Sequence, residues 1–148
     1  MMRKYCSGLI IMILALSSCY DDIPIYDSYE TTTQTLFVYM PWTGSTTSSA
    51  YALNNFFDEN IAGMKKYVDT SKGIKGTDII VFKANSQSQS VMFRMKYNIT
   101  QQRCEFDTLR TNAGFVSVSE ANLESLLNLV TSYSATGKYS LLIGCHGS

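Results

Sequence analysis

The sequence predicts an α/β protein: a mostly parallel sheet flanked by helices, with an inserted β-hairpin. Short apolar runs rich in β-branched and aromatic residues recur at positions 35–40, 78–82 and 139–143, and each has the length of a buried strand. Between them lie stretches whose apolar residues recur every three or four positions, the period of an amphipathic helix. A third kind of segment, 91–98, alternates apolar and polar residues in the manner of a half-exposed strand. Buried strands alternating with amphipathic helices imply parallel pairing, with both faces of the sheet covered.

The chain has 148 residues, 45% of them hydrophobic and 16% charged, which suits a globular domain of ordinary size. Its first stretch is MMRKYCSGLIIMILALSSCYDD. Arg3 and Lys4 form a positive n-region, and Leu9 to Leu16 form an apolar h-region too short to span a bilayer. Leu16-Ser17-Ser18-Cys19 then resembles the lipobox of bacterial lipoproteins. That resemblance implies that residues 1–18 are a signal peptide and that Cys19 carries lipid. A plain signal peptide with an incidental cysteine is the competing reading. Residues 19–34 contain polar residues, one proline and no helical period, and read as a tether. The expected location is therefore outside the cytoplasm, membrane-anchored, either periplasmic or at the cell surface. The two acids behind Cys19 vaguely resemble surface-export signals of Bacteroidetes-type lipoproteins.

The domain proper is expected at 35–148. Thr35 to Met40 reads as a strand ended by Pro41, and the Ser/Thr-rich loop PWTGSTTSS follows. From Ala50 to about residue 69, Leu53, Phe56, Phe57, Ile61, Met64 and Val68 share one helical face, and Gly73 and Gly76 punctuate the exit. Asp78 to Phe82 is a second buried strand. Val91, Phe93, Met95 and Tyr97 alternate with Met92, Arg94, Lys96 and Asn98, predicting one buried and one exposed face, with a hairpin partner around Arg103 to Leu109. Ser117 to Glu120 has the spacing of a capping box, with Ser119 a competing N-cap. Leu123, Leu126, Leu127 and Val130 supply the second helical stripe, and Tyr139 to Ile143 the last strand. That strand would form an exposed edge if nothing followed it, which suggests further strands.

Charge excludes some functions. Formal net charge is zero, so no broad basic field points to nucleic acid. Losing Arg3 and Lys4 with the leader leaves 10 of the 12 basic residues against 12 acidic ones, a weak discriminator. Asp21, Asp22, Asp27 and Glu30 lack EF-hand spacing and read as a solvated tether rather than a calcium site. With a single histidine no Cys/His metal cluster is possible, no phosphate-binding loop appears, and no cofactor is identifiable. Of four cysteines, Cys6 leaves with the leader and Cys19 takes lipid. Cys104 and Cys145 remain, and no disulfide is expected because Cys145 reads as a small hydrophobe in a strand.

Chemistry concentrates in the final YSLLIGCHGS. His146 would lie just past the carboxyl end of a parallel strand, where α/β sheets gather ligand and catalytic groups. A histidine there can exchange protons with a nucleophile and a leaving group. Gly147 leaves room for a substrate and offers its N–H to an oxyanion. A strand-end histidine beside a turn glycine, with no task, is the bland alternative. Trp42, after the first strand, is placed to line a cleft.

The ordered set LFVYMPW, LNNFFDENIAGMKK, DIIVFKANS, RMKYNI, SEANLESLLNLV and YSLLIGCHGS resembles the clostripain-like (C11) cysteine peptidases of the caspase-like clan. The resemblance covers roughly Thr35 to Ser148, and the strand ending in His-Gly is its most specific part. It implies a caspase-like sheet, incomplete in this chain, and a Cys–His dyad with His146 as general base and acid and the Gly147 N–H in the oxyanion hole. In such proteins the nucleophile follows the next strand, typically in an Asp-x-Cys setting, and the acid that selects a basic residue before the scissile bond also lies downstream. The expectation is a truncated, lipid-anchored endopeptidase, inactive alone, acting on protein or peptide substrates, with a downstream chain a candidate partner. A non-catalytic surface lipoprotein that keeps the scaffold as a binding or accessory protein is the alternative.

Overall fold

The structure is a computed structural model, and it describes residues 32–41, 53–86, 88–113 and 120–144. Its elements are β1 (Gln34–Met40), α1 (Leu53–Thr70), β2 (Thr77–Ala84), β3 (Gln89–Asn98), β4 (Arg103–Ala113), α2 (Glu120–Tyr133) and β5 (Tyr139–Ile143). They build one mixed five-stranded sheet in the order β4-β3-β2-β1-β5. β1 pairs in parallel with β2 on one side and with β5 on the other, while β2–β3 and β3–β4 pair antiparallel. The hairpin therefore extends the parallel core in its own plane.

The sequence dictates which residues meet on each face. Leu53, Phe57, Ile61 and Val68 of α1 recur every four or seven positions and bury against Val38, Met40, Ile79 and Val81. Leu126 and Val130 of α2 bury against Phe37, Tyr39, Ile80 and Phe82, the alternate residues of the same strands. β1 and β2 thus each feed two cores, one under each helix, as period-2 alternation requires. Gly73, at a φ of 101°, closes α1 by donating its N–H to the Val68 carbonyl at 2.9 Å.

Three expectations need correction. Met92 is fully buried, because α2 covers the face of β3 that the alternation assigned to solvent. Phe56 and Leu127 lie at the margins of their helical stripes and are exposed, at 42% and 39%. β4 continues past Leu109 to Ala113, with a register shift opposite Met92/Phe93. The capping residues Ser117 and Ser119, the leader and Cys19 lie outside the described residues. Among the described residues no helix is long and apolar enough to cross a membrane.

Candidate functional site

β1, β2 and β5 run parallel, so Met40, Ala84 and Ile143 end at one edge of the sheet. α1 connects β1 to β2 across one face of the sheet, and α2, which follows β4, leads into β5 across the other. This makes the carboxyl end of β1 a topological switch point, where α/β sheets open a crevice for ligands.

Gly144 is the last described residue there. Its N–H donates to the Tyr39 carbonyl at 2.9 Å, continuing the β1–β5 ladder by one step. A Cβ at this position would come within 2.7 Å of Phe57 Cε1 and 3.4 Å of Met40 Cγ. Only glycine lets the α1 aromatic ring press against the backbone where the chain leaves β5. The Phe57 contact thereby fixes the backbone position of Gly144 at this edge. His146, Gly147, Cys145 and Trp42 themselves lie outside the described residues.

The same edge carries polar groups for which sequence reasoning named no role. Lys83, inside the apolar run of β2, is buried beneath α1 and forms an ion pair with Asp58, whose carboxylate is largely in solvent. Asn54, in the first turn of α1, has a buried Oδ1 with no hydrogen-bond partner among the described residues, and the same is true of Ser90 Oγ on β3. A charged residue within IIVFKA was the one available signal for Lys83. Tyr39 stacks on Phe82 at 5.6 Å, and burial raises its phenol above the ordinary value.

Cys104 is free and buried at the start of β4, and it cannot serve this edge. It pairs with Tyr97, beside the amino end of β2, six register positions from Lys83. That is roughly 20 Å along the strands, and four strand spacings, about 19 Å, separate β4 from β5 across the sheet. Burial raises the thiol's pKa and the nearby Asp69 carboxylate raises it further, so it stays protonated near neutrality. Among the described residues, no group of His, Cys, Asp and Glu could hold a metal ion.

A clostripain from Bacteroides thetaiotaomicron ATCC 29148, solved in complex with peptide inhibitor BTN-VLTK-AOMK, superposes with a TM-score of 0.69 at 29% identity, covering 80% of this chain and 93% of that one. This chain has the clostripain-like C11 fold. The secreted C11 cysteine protease "iotapain" from the same species matches equally well, with a TM-score of 0.69 and 29% identity over 80% of this chain, but over only 31% of its own. An inactive zymogen C11 protease from Parabacteroides distasonis, at 18% identity and a TM-score of 0.67, shares the fold. The chain spans about a third of the length of these two longer C11 proteases, at 31% and 32%. No family model matches it, and no curated protein does.

Proposed function

We propose that this chain is the amino-terminal part of an exported, lipid-anchored cysteine endopeptidase of the clostripain type that cleaves after basic residues. The observation that carries the reading is the fold match to a clostripain held by a peptide inhibitor whose VLTK segment ends in lysine. The packing of Gly144 at the switch point supports it, because the described chain reaches that edge two residues before His146.

In the proposed mechanism His146 takes the proton from a cysteine thiol, and the thiolate attacks the scissile carbonyl. The Gly147 N–H stabilises the resulting oxyanion. His146 then gives its proton to the leaving amine as the C–N bond breaks, leaving an acyl-enzyme that water hydrolyses with His146 as base. Cys104 does not fit the nucleophile's place on distance or protonation, and the resemblance to clostripain-like peptidases implies a thiol after a further strand, downstream of these residues. β5 supports a continuation of the sheet. Among the described residues it pairs only with β1, and Leu141, Leu142 and Ile143 are 45%, 51% and 50% exposed across both its faces. Cys19, in its lipobox, supports the anchor and a periplasmic or surface location.

The test is to produce this chain joined to the polypeptide encoded after it and to supply peptides with Lys, Arg or Glu before the scissile bond. Mass spectrometry should find cleavage after Lys and Arg alone. Cleavage after Glu, or of no peptide by the folded protein, would overturn the reading.

A further inference from the structure

An acceptor at the carboxyl edge has nothing to accept. Asn54 stands in the first turn of α1, and its Oδ1 is buried with no hydrogen-bond partner among the described residues. An asparagine at the start of a helix commonly spends this oxygen on the free N–H groups there. Here it does not. The Lys83 ammonium, at the same edge beneath α1, donates instead to Asp58, one turn further along the helix. A buried oxygen left without a donor is costly and rare, so a donor is to be sought in a segment that reaches this edge.

β5 brings one there. A Cβ built on Gly144 would meet Phe57 Cε1 at 2.7 Å and Met40 Cγ at 3.4 Å, so this position faces α1. Side chains two apart on an extended chain share a face. The position two beyond Gly144, on α1's face by that rule, is His146. The levels match as well. α1 links the parallel strands β1 and β2, so it begins at the carboxyl edge and runs back against them. Asn54 is three residues before Phe57, which puts it on the same side of the helix and about 4.5 Å nearer the carboxyl edge. Two extended residues past Gly144 advance about 6.6 Å in the same direction, leaving the two side chains level to within about 2 Å.

We propose that Asn54 is a positioning residue for His146, its Oδ1 accepting a hydrogen bond from the imidazole Nδ1–H. Nδ1 is the ring nitrogen nearer the backbone, and Nε2 lies at the tip of the ring, where it can face a thiol. A neutral imidazole donates from one nitrogen and accepts at the other. Fixing the proton on Nδ1 therefore leaves the Nε2 lone pair as the base and holds the ring in one orientation. Unlike a carboxylate, the amide adds no charge that would hold the ring as imidazolium.

The catalytic consequence rests on the peptidase reading, and the contact itself does not. His146 is the only histidine in the chain, so its two ring nitrogens can be read by NMR with no cleavage assay. The contact and the activity can therefore fail separately.

The test is proton–nitrogen NMR of the imidazole in the nitrogen-15-labelled full chain at about pH 8.5, roughly two units above the ordinary imidazole value, where the ring is neutral. The parent should carry its proton mainly on Nδ1. Asn54→Ala should shift the tautomer ratio toward Nε2–H by about 2–10-fold, the range of one hydrogen bond. Asn54→Asp keeps an acceptor in the same place and should retain Nδ1–H. Asn60→Ala, at an exposed position of the same helix, should leave the ratio as in the parent. A parent ring protonated mainly on Nε2 overturns the proposal, whether or not the alanine variant folds. So does a ratio unmoved by Asn54→Ala, or one moved as far by Asn54→Asp or Asn60→Ala. Cleavage by the joined protein alongside any of these results would remove the Asn54 contact and keep the peptidase reading. A fixed Nδ1–H in a joined protein that cuts no peptide would keep the contact and remove its catalytic purpose.

Discussion

Replacing Gly144 by alanine tests how the candidate site is positioned. The added methyl would lie 2.7 Å from Phe57 Cε1, where ordinary contact begins at 3.4 Å, so one partner must move by about 0.7 Å. Phe57 cannot yield cheaply, being 3% exposed among Val38, Met40 and Ile61. Overpacking of this kind costs about 1–3 kcal/mol. Loss of unfolded-chain entropy offsets it by about 0.4–1 kcal/mol. A net loss of about 1–2 kcal/mol should lower the melting temperature by roughly 3–8 °C in a chain of this size. Phe57→Leu removes the clashing carbon, so the double variant should recover part of the loss, with a coupling of about 0.5–2 kcal/mol in a double-mutant cycle. Urea unfolding of the parent, both single variants and the double variant measures it. Additivity within about 0.3–0.5 kcal/mol, or a Gly144→Ala protein as stable as its parent, would refute the packing argument.

Other perturbations follow from the same packing. Asp58→Ala should destabilise more than Lys83→Met, because it leaves a buried ammonium without its partner, whereas methionine fills the site without charge; a denaturation midpoint lower for Lys83→Met would contradict this. Thr35→Val removes a buried hydroxyl that bonds Ser134 Oγ and Thr136 Oγ1, each at 2.9 Å, so it should cost about 1–3 kcal/mol and speed amide exchange in β5. Asp69 accepts from Lys65 Nζ at 2.7 Å and from the Cys104 N–H, which hold its carboxyl below its usual value. The folded state then binds fewer protons there than the unfolded one, so this stabilisation is present above the ordinary carboxylate range and is lost as pH falls through the lowered value. Asp69→Asn should flatten the acid limb of a stability–pH curve, and an unchanged limb would remove Asp69 as its cause.

Most of the architecture was legible because local patterns survive folding. β5 was read at its observed bounds from YSLLI, and α1 from the spacing of Leu53, Phe57, Ile61 and Val68. The misses have physical causes. Met92 reads as solvent-facing from alternation alone, since nothing local announces that α2 will cover that face. Leu141 to Ile143, apolar by composition but expected at an exposed edge unless a further strand covers them, do stand half exposed. Lys83 was passed over although it is a charge in an apolar run, because its partner Asp58 lies 25 residues earlier on another element. The cavity at the amino edge of the sheet, walled by the turn after α1, the end of β3 and the segment after α2, is assembled from segments far apart in the chain and has no linear signature. His146 and Gly147 were singled out by their place after β5, and the described structure brings the chain to the switch point at Gly144, two residues before that histidine.

The central claim is that His146 is one half of a Cys–His dyad completed from outside these residues. Its most direct test compares the rate of cleavage of a lysine-containing peptide by this chain joined to its downstream polypeptide, with His146 intact and with His146→Ala, both verified as folded by melting. The account predicts no cleavage by the 148-residue chain alone. It predicts cleavage by the joined protein, and a loss of roughly 10²–10⁴-fold on removing the imidazole. Cleavage by the short chain alone, or a His146→Ala protein as fast as its parent, would contradict it.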